Sequence, residues 1–407
     1  MVSTHPRLAR FMQRPHVLPL IMFSFALIVL SSLFACQPEL GTGMQPTKRV
    51  EAATMTPTPD PNAITIAAVG DIMLGSPFPN DSRMPPNDGV DLLKEVTPIL
   101  SAADIAFGNL EGPIVDGGMS EKCKPPASPT PTPTPLPSAT PKKPEPIRCY
   151  AFRMPTRYGR YLKAAGFDVL SVANNHASDF GEAGRASTRR TLDALGIKYA
   201  GSNRTKYSTA YLDVNGRKVA FVGFAHNALQ PNVNDLAFAK QLVAAAAKKA
   251  DIVVVSFHGG AEGTDAQHVP QQTELFFGEK RGNLPLFART VIDAGADLVL
   301  GHGPHVLRGM EIYKDRLIEY SLGNFATYGW FILRAETALS MILEIDLAQD
   351  GKFIGGRIGA ARQEGRGGPL LDPSGEAIRK IRSLSQADFP STAPAISDDG
   401  TIRRTAN

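Results

Sequence analysis

Five short apolar runs in this chain each stop at a cluster of polar, ligand-type residues, and no other feature constrains the fold as tightly. Residues 64–69 stop at Gly70 and Asp71. Residues 105–107 stop at Gly108 and Asn109, with Glu111 two positions on. Residues 167–173 stop at Asn174, Asn175 and His176. Residues 252–257 stop at His258, and residues 297–300 at Gly301 and His302, with His305 close behind. Short, almost wholly apolar runs read as strands buried on both faces. Helical signals lie between them at 91–100, 157–165, 184–195, 236–250 and 284–294. Strands alternating with helices predict a layered α/β domain. The last third is different: 310–320 reads as a hairpin and longer strands follow near 336–347 and 352–361, so part of the sheet is expected to be antiparallel. One Gly-Asp or Asn-Asn-His cluster is ordinary turn chemistry. Five strand ends that carry four of the eight histidines point instead to one site, because ligands gather at the carboxyl ends of strands in such sheets.

The residue types at these ends narrow the chemistry. Asp, Glu, Asn and His are oxygen and nitrogen donors that suit Mn²⁺, Fe²⁺ or Zn²⁺. Six or seven ligands from five segments are enough for a dinuclear centre that activates water for hydrolysis. The competing chemistries lack their signatures: the chain has no GxxxxGK[ST] loop, no GxGxxG after a strand, no HExxH and no GxSxG. The charge balance, 43 Lys+Arg against 39 Asp+Glu, is too even to predict a nucleic-acid partner.

Six segments in order carry a family resemblance: AVGDIMLG (68–75), FGNLEGPI (107–114), FDVLSVANNHASDFG (167–181), VVSFHGGAE (254–262), GADLVLGHGPHVLRGMEIY (295–313) and YSLGNF (320–325). Together they resemble the bacterial capsule-synthesis CapA family of poly-γ-glutamate production, which is similar to the calcineurin-like metallophosphoesterases. The resemblance covers about residues 63–330. It implies a four-layer α/β/β/α sandwich of mixed sheets with a dinuclear metal centre. Residue by residue it implies metal ligation by Asp71, Glu111, Asn175, His258, His302 and His305. It also implies that His176 protonates the leaving group and that Glu262 is a second catalytic or substrate-contacting residue. Asn174 and Asn324 are assigned to substrate contact, with a turn role as the alternative for each. Two departures bear on the metal count. Phosphoesterases open with Asp-x-His where this chain has Asp71, Ile72 and Met73, and they close with His-x-His where two residues separate His302 from His305. The implied function is a metal-dependent hydrolase of a phosphoester or γ-glutamyl amide. The alternative is a non-catalytic accessory protein that binds an anionic polymer for capsule assembly or export. The expected partners are an anionic envelope polymer or phosphoester substrate and capsule-synthesis membrane subunits.

The remaining features concern the ends and one insertion. Residues 1–14 carry Arg7, Arg10 and Arg14 and no acid, residues 17–33 are apolar, and Leu33, Phe34 and Ala35 precede Cys36. That order is an export signal. The cysteine after a small residue resembles the lipobox of bacterial lipoproteins, so Cys36 is the expected lipid attachment site, with a signal anchor or simple secretion as alternatives. Each reading places the rest of the chain outside the cytoplasm, in the cell envelope. Residues 37–62 read as a proline-containing tether and residues 125–146 as a low-complexity surface insertion; together they hold 15 of the 33 prolines. Cys123 and Cys149 flank that insertion. With Cys36 lipidated they are the two remaining thiols of an exported chain, and a disulfide between them is predicted. The folded domain is thus expected over 63–372, with 373–407 a largely disordered tail.

Overall fold

Alternation along single strands decides which side of each sheet faces which layer. The computed structural model describes residues 62–123 and 149–405. The signal segment with Cys36, the tether up to residue 61 and the proline-rich insertion lie outside the described residues. The first run of elements is β1 (Ile64–Met73), α1 (Thr97–Leu100), β2 (Ile105–Leu110), α2 (Gly159–Ala164), β3 (Val169–Ser171), α3 (Gly181–Leu195) and β4 (Lys198–Ala200). The second is β5 (Thr209–Val214), β6 (Arg217–Ala225), α4 (Leu236–Ala247), β7 (Ile252–His258), β8 (Glu274–Phe276), β9 (Glu279–Gly282), α5 (Leu284–Asp293) and β10 (Leu298–His302). The last third holds β11 (Met310–Tyr313), β12 (Arg316–Glu319), β13 (Asn324–Thr327), β14 (Leu339–Leu347), β15 (Phe353–Gln363), β16 (Pro369–Leu371), α6 (Glu376–Asp388), β17 (Ala395–Ile396) and β18 (Thr401–Arg403).

Two mixed sheets result. The larger runs β17-β18-β15-β14-β1-β2-β3-β4, with β13 also pairing β1 and β16 pairing β15. Its β1, β2, β3, β4 and β13 are parallel, and β14 and β15 join antiparallel. The smaller runs β11-β12-β10-β7-β6-β5, parallel through its middle and closed at each edge by an antiparallel hairpin.

Successive residues of a strand face opposite sides. Ile66 and Ala68 of β1 therefore pack with Ile252 and Val254 of β7 in a core between the two sheets, where Phe107 stacks on Phe221 at 5.4 Å. Ala67 and Val69 face outward onto Leu100, Leu162 and Leu192. Val253 and Val255 face outward onto Val243, Phe287 and Val291 of α4 and α5. The order of layers is α/β/β/α, as expected.

The C-terminal segment corrects the sequence reading. Residues 373–407 were expected as a disordered tail, but α6, β17 and β18 lie there, and the compact unit is Thr58–Asn407. The polar composition of the segment masks a stripe of Ala377, Ile378, Ile381 and Leu384 that is buried along one face of α6. Ala377, Ile378 and Ile381 of that stripe join the inter-sheet core together with Ile396 and Ile402. Ile381→Ala is expected to cost about 2–4 kcal/mol in urea denaturation, since Ile381 is fully buried. A dispensable tail would lose nothing.

Candidate metal and catalytic site

Parallel pairing puts the polar residues at one edge of each sheet. In the larger sheet Asp71 is in register with Asn109 of β2 and with Asn324 of β13. In the smaller sheet His258 is in register with His302 of β10 and with Ala225 of β6, which places His226 next in line. Two glycines permit the approach. A Cβ on Gly70 would collide with the carbonyl oxygen of Gly323, and Gly303 adopts φ +117° where a Cβ would meet the backbone of Gly259. His305 itself sits at φ +60°, a left-handed backbone that His adopts only with some strain. The two-residue spacer in the last motif therefore does not part its histidines. His305 Nδ1 lies 2.9 Å from Asp71 Oδ2, and His302 Nδ1 lies 3.6 Å from Asp71 Oδ1.

Asp71, Glu111 and His305 each offer one ligand atom within 4.8 Å of the others, and all three are buried. Asn109 donates from Nδ2 to Asp71 Oδ1 at 2.8 Å, and His305 Nε2 is 3.7 Å from Glu111 Oε1. His302 and His258 flank this trio, His302 Nδ1 3.6 Å from Asp71 Oδ1 and the His258 ring 6.4 Å from that of His305. The test of whether a cation fits is the set of buried polar atoms that find no hydrogen-bond partner. Both Glu111 carboxylate oxygens, Asn175 Oδ1, His258 Nε2 and both ring nitrogens of His302 belong to it. Unpartnered buried atoms occur elsewhere in the described residues too, but those of Glu111, His258 and His302 lie on residues at the trio and are of the donor types that suit a divalent transition metal. The charge state agrees. Burial pushes the Glu111 carboxyl well above its usual range, and Asp71 and Glu262 add to the effect. Burial alone would lower His305, but Glu111, Asp71 and Glu262 outweigh it and raise it to about 10. Both shifts express a shortage of positive charge. His302 falls to about 4 through burial, opposed by Asp71, and burial holds His258 well below its usual value, so both stay neutral and able to ligate.

His176 stands at the rim of the trio. Its Nδ1 is 2.7 Å from Asp179 Oδ2, which fixes that nitrogen as the N–H donor and leaves Nε2 free, 3.9 Å from Glu111 Oε1. Burial lowers its pKa, against the pull of Asp179. Glu262 is partly exposed; its Oε1 accepts from Arg281 Nη2 at 2.7 Å and its Oε2 lies 4.0 Å from His305 Nε2.

For Asn174 and Asn324 the contacts go with the alternative to substrate contact. Asn174 is fully buried and spends its amide on Asn109 Oδ1 and the Leu110 carbonyl while its Oδ1 accepts from the His176 N–H. Asn324 is buried too; its Nδ2 donates to the carbonyls of His305 and Thr337, and its Oδ1 faces His305 Nδ1 at 3.2 Å. Both residues orient the cluster. Sequence reading placed Asn109 at a strand end without a role and missed Asp179, His226 and Arg281. Asp179 had a signal, a carboxylate one turn after His176. Arg281 comes from the β8–β9 hairpin and had none. His226, directly after β6, lies with its ring 5.9 Å from that of His258.

The model of the family described as bacterial capsule synthesis protein PGA_cap matches residues 65–328. The chain belongs to that family. It is 29% identical to the capsule biosynthesis protein CapA of Bacillus anthracis over 342 residues, 79% of this chain and 73% of the relative. It is 30% identical to the PGA biosynthesis protein CapA of Bacillus subtilis over 313 residues, 71% and 69% of the two chains. Among solved structures, a novel phosphatase of Mycoplasma pneumoniae aligns with TM-score 0.42 at 13% identity, covering 77% of this chain and 96% of that one. The layers of this PGA_cap member stand on its own packing, and Met73, two residues after Asp71, is fully buried.

Proposed function

We propose that this PGA_cap member is an extracytoplasmic, metal-dependent hydrolase in capsule or poly-γ-glutamate synthesis or processing. The observation that carries the reading is the buried, unpartnered Glu111 carboxylate among orphaned His and Asn ligand atoms, beside a free His176 Nε2. Asp71, Glu111, Asn175, His258, His302 and His305 would hold the metal, one ion or two of the Mn, Fe or Zn class. A divalent ion supplies a Lewis acid that polarises the scissile carbonyl or phosphoryl oxygen and makes water a better nucleophile.

The chain's own residues do the rest. Asn109 and Asn324 hold Asp71 and His305 in place. To serve as the acid His176 must enter the step as the imidazolium: Asp179 accepts from Nδ1–H, the second proton on Nε2 passes to the leaving group, and the neutral Nδ1–H ring remains. Arg281 holds Glu262 at the lip of a groove of about 530 Å³ that runs along the 261–275 segment, where a polymer substrate would approach. The Cys123–Cys149 bridge supports an oxidising compartment, in line with export and lipid attachment at Cys36. An anionic envelope polymer or phosphoester is the proposed substrate, with the membrane and capsule-synthesis subunits as neighbours.

The test is metal analysis of the purified 37–407 ectodomain, with hydrolysis assays on poly-γ-glutamate and on phosphodiesters in added Mn²⁺. Stoichiometric metal and cleavage of one substrate class are expected. Metal without cleavage would favour a polymer-binding accessory role, and absence of both would remove the enzyme reading.

A further inference from the structure

The disulfide lies against the site. Cys123 and Cys149 are 26 residues apart in sequence with Cα atoms 5.7 Å apart. Each arm of the bridge leads onto the His176–Asp179 pair. On the first arm Ser120 Oγ and the Glu121 N–H both donate to the Asp179 carbonyl, at 3.0 and 2.8 Å. Ser120 Oγ also accepts from the Cys123 N–H at 3.0 Å. Lys122 Nζ is 3.4 Å from Asp179 Oδ1 and 3.2 Å from His176 Nδ1. On the second arm the Phe152 N–H donates to Asp179 Oδ2 at 2.7 Å, and the Phe152 ring stacks on the imidazole at 3.9 Å with a 23° tilt. Trp330 and Phe331 back that ring at 5.2 and 5.7 Å, and Phe331 reaches His305 at 4.8 Å.

We propose that Lys122 and Phe152 are positioning residues for His176, and that the Cys123–Cys149 bridge is the brace that keeps both in place. The inference rests on the reading of His176 as proton donor. Asp179 accepts from His176 and from the Phe152 backbone, and its second oxygen faces only the Lys122 ammonium among the described residues. The ammonium therefore lies against one oxygen of the carboxylate while the other accepts from Nδ1–H, so Lys122 holds the acceptor in place beside the ring. Stacking by Phe152 fixes the plane of the ring, so Nε2 keeps its aim at the trio. Neither contact is cheap to hold. Ordering a lysine side chain costs rotamer entropy, and without the bridge Lys122 and Phe152 would sit at the two ends of a connection whose closure costs entropy. The bridge removes that cost from the folded site.

The test uses the zinc-loaded ectodomain, because zinc is diamagnetic. Its readouts are the His176 Nδ1–H proton resonance, identified by its loss in Asp179→Asn, and steady-state kinetics. The wild type is expected to show a downfield, slowly exchanging signal. Lys122→Met and the Cys123→Ser/Cys149→Ser double variant should each lose or broaden it, at unchanged zinc content. They should also lower kcat by roughly tenfold, part of the 10²–10⁴ of a general acid, with KM within about twofold. Lys122→Arg should recover most of both. If the double variant does not fold, Lys122→Met decides. A signal that survives unchanged in Lys122→Met and in any folded double variant overturns the proposal. If the wild type cleaves neither substrate, the hydrolase reading fails, and the resonance alone still judges the brace.

Discussion

Glu111→Gln is expected to abolish metal retention without destabilising the metal-free protein. The substitution keeps the shape and removes the charge. In the native chain both carboxylate oxygens are buried with no hydrogen-bond partner, and the group is fully inaccessible. A buried acid without compensation is costly, several kcal/mol if ionised, and the cost persists in part as a raised pKa if it takes a proton. Evolution would not keep it for stability. The carboxamide has one neutral oxygen, a poor ligand for a hard cation, so affinity should fall by about 100-fold or more, beyond the 10–100-fold typical of outer-shell changes. Thermal melting with and without Mn²⁺ or Zn²⁺ reads both effects. At metal one hundred times above Kd the wild type should gain about 2.7 kcal/mol by mass action, and the variant about 0.4 kcal/mol or less. The metal-free variant should melt at or slightly above the wild type. A variant that gains as much stability from metal as the wild type would show that Asp71 and the histidines suffice, and Glu111 would then be a base or a substrate contact.

The sequence made the strand ends legible because each strand is buried on both faces. An apolar run has to end where water or a ligand begins, and the residue at that point must be polar for a reason. Asp71, Glu111, His176, His258 and His305 all sit at such points, and parallel pairing alone brings Asp71 beside Asn109 and His258 beside His302. What the sequence hid depends on contacts across elements. Arg281 reaches Glu262 from a hairpin that belongs to neither main sheet. Lys122 and Phe152 meet at Asp179 from opposite sides of a long insertion. Asn174 and Asn324 looked like site residues because amides are common in turns and in sites alike; only their partners show that both are spent on orienting their neighbours. In α6 the serines and charges outweighed four buried apolar residues in composition, although their spacing was helical.

His176→Ala is expected to slow hydrolysis by about 10²–10⁴-fold while metal content stays at the wild-type level. The two outcomes separate because of where the ring sits. Asp71, Glu111 and His305 form the close trio, and His176 is not among them. Its Nδ1 is taken by Asp179 at 2.7 Å, so Nε2 alone could ligate, and that atom lies 3.9 Å from the nearest Glu111 oxygen. It points into the space where a leaving group would depart. The loss should depend on the substrate. A leaving group that needs no proton, such as a nitrophenolate, should lose little, whereas an alkoxide or amine leaving group should lose the full factor. The variant's rate should therefore fall steeply as the pKa of the leaving group rises, while the wild type's rate stays nearly level. Asp179→Asn should fall between the two, because the ring remains but its tautomer is no longer fixed. A uniform loss across all leaving groups, or loss of metal together with rate, would make His176 a ligand and move the proton donor elsewhere, with Glu262, 4.0 Å from His305 Nε2, the next residue to test.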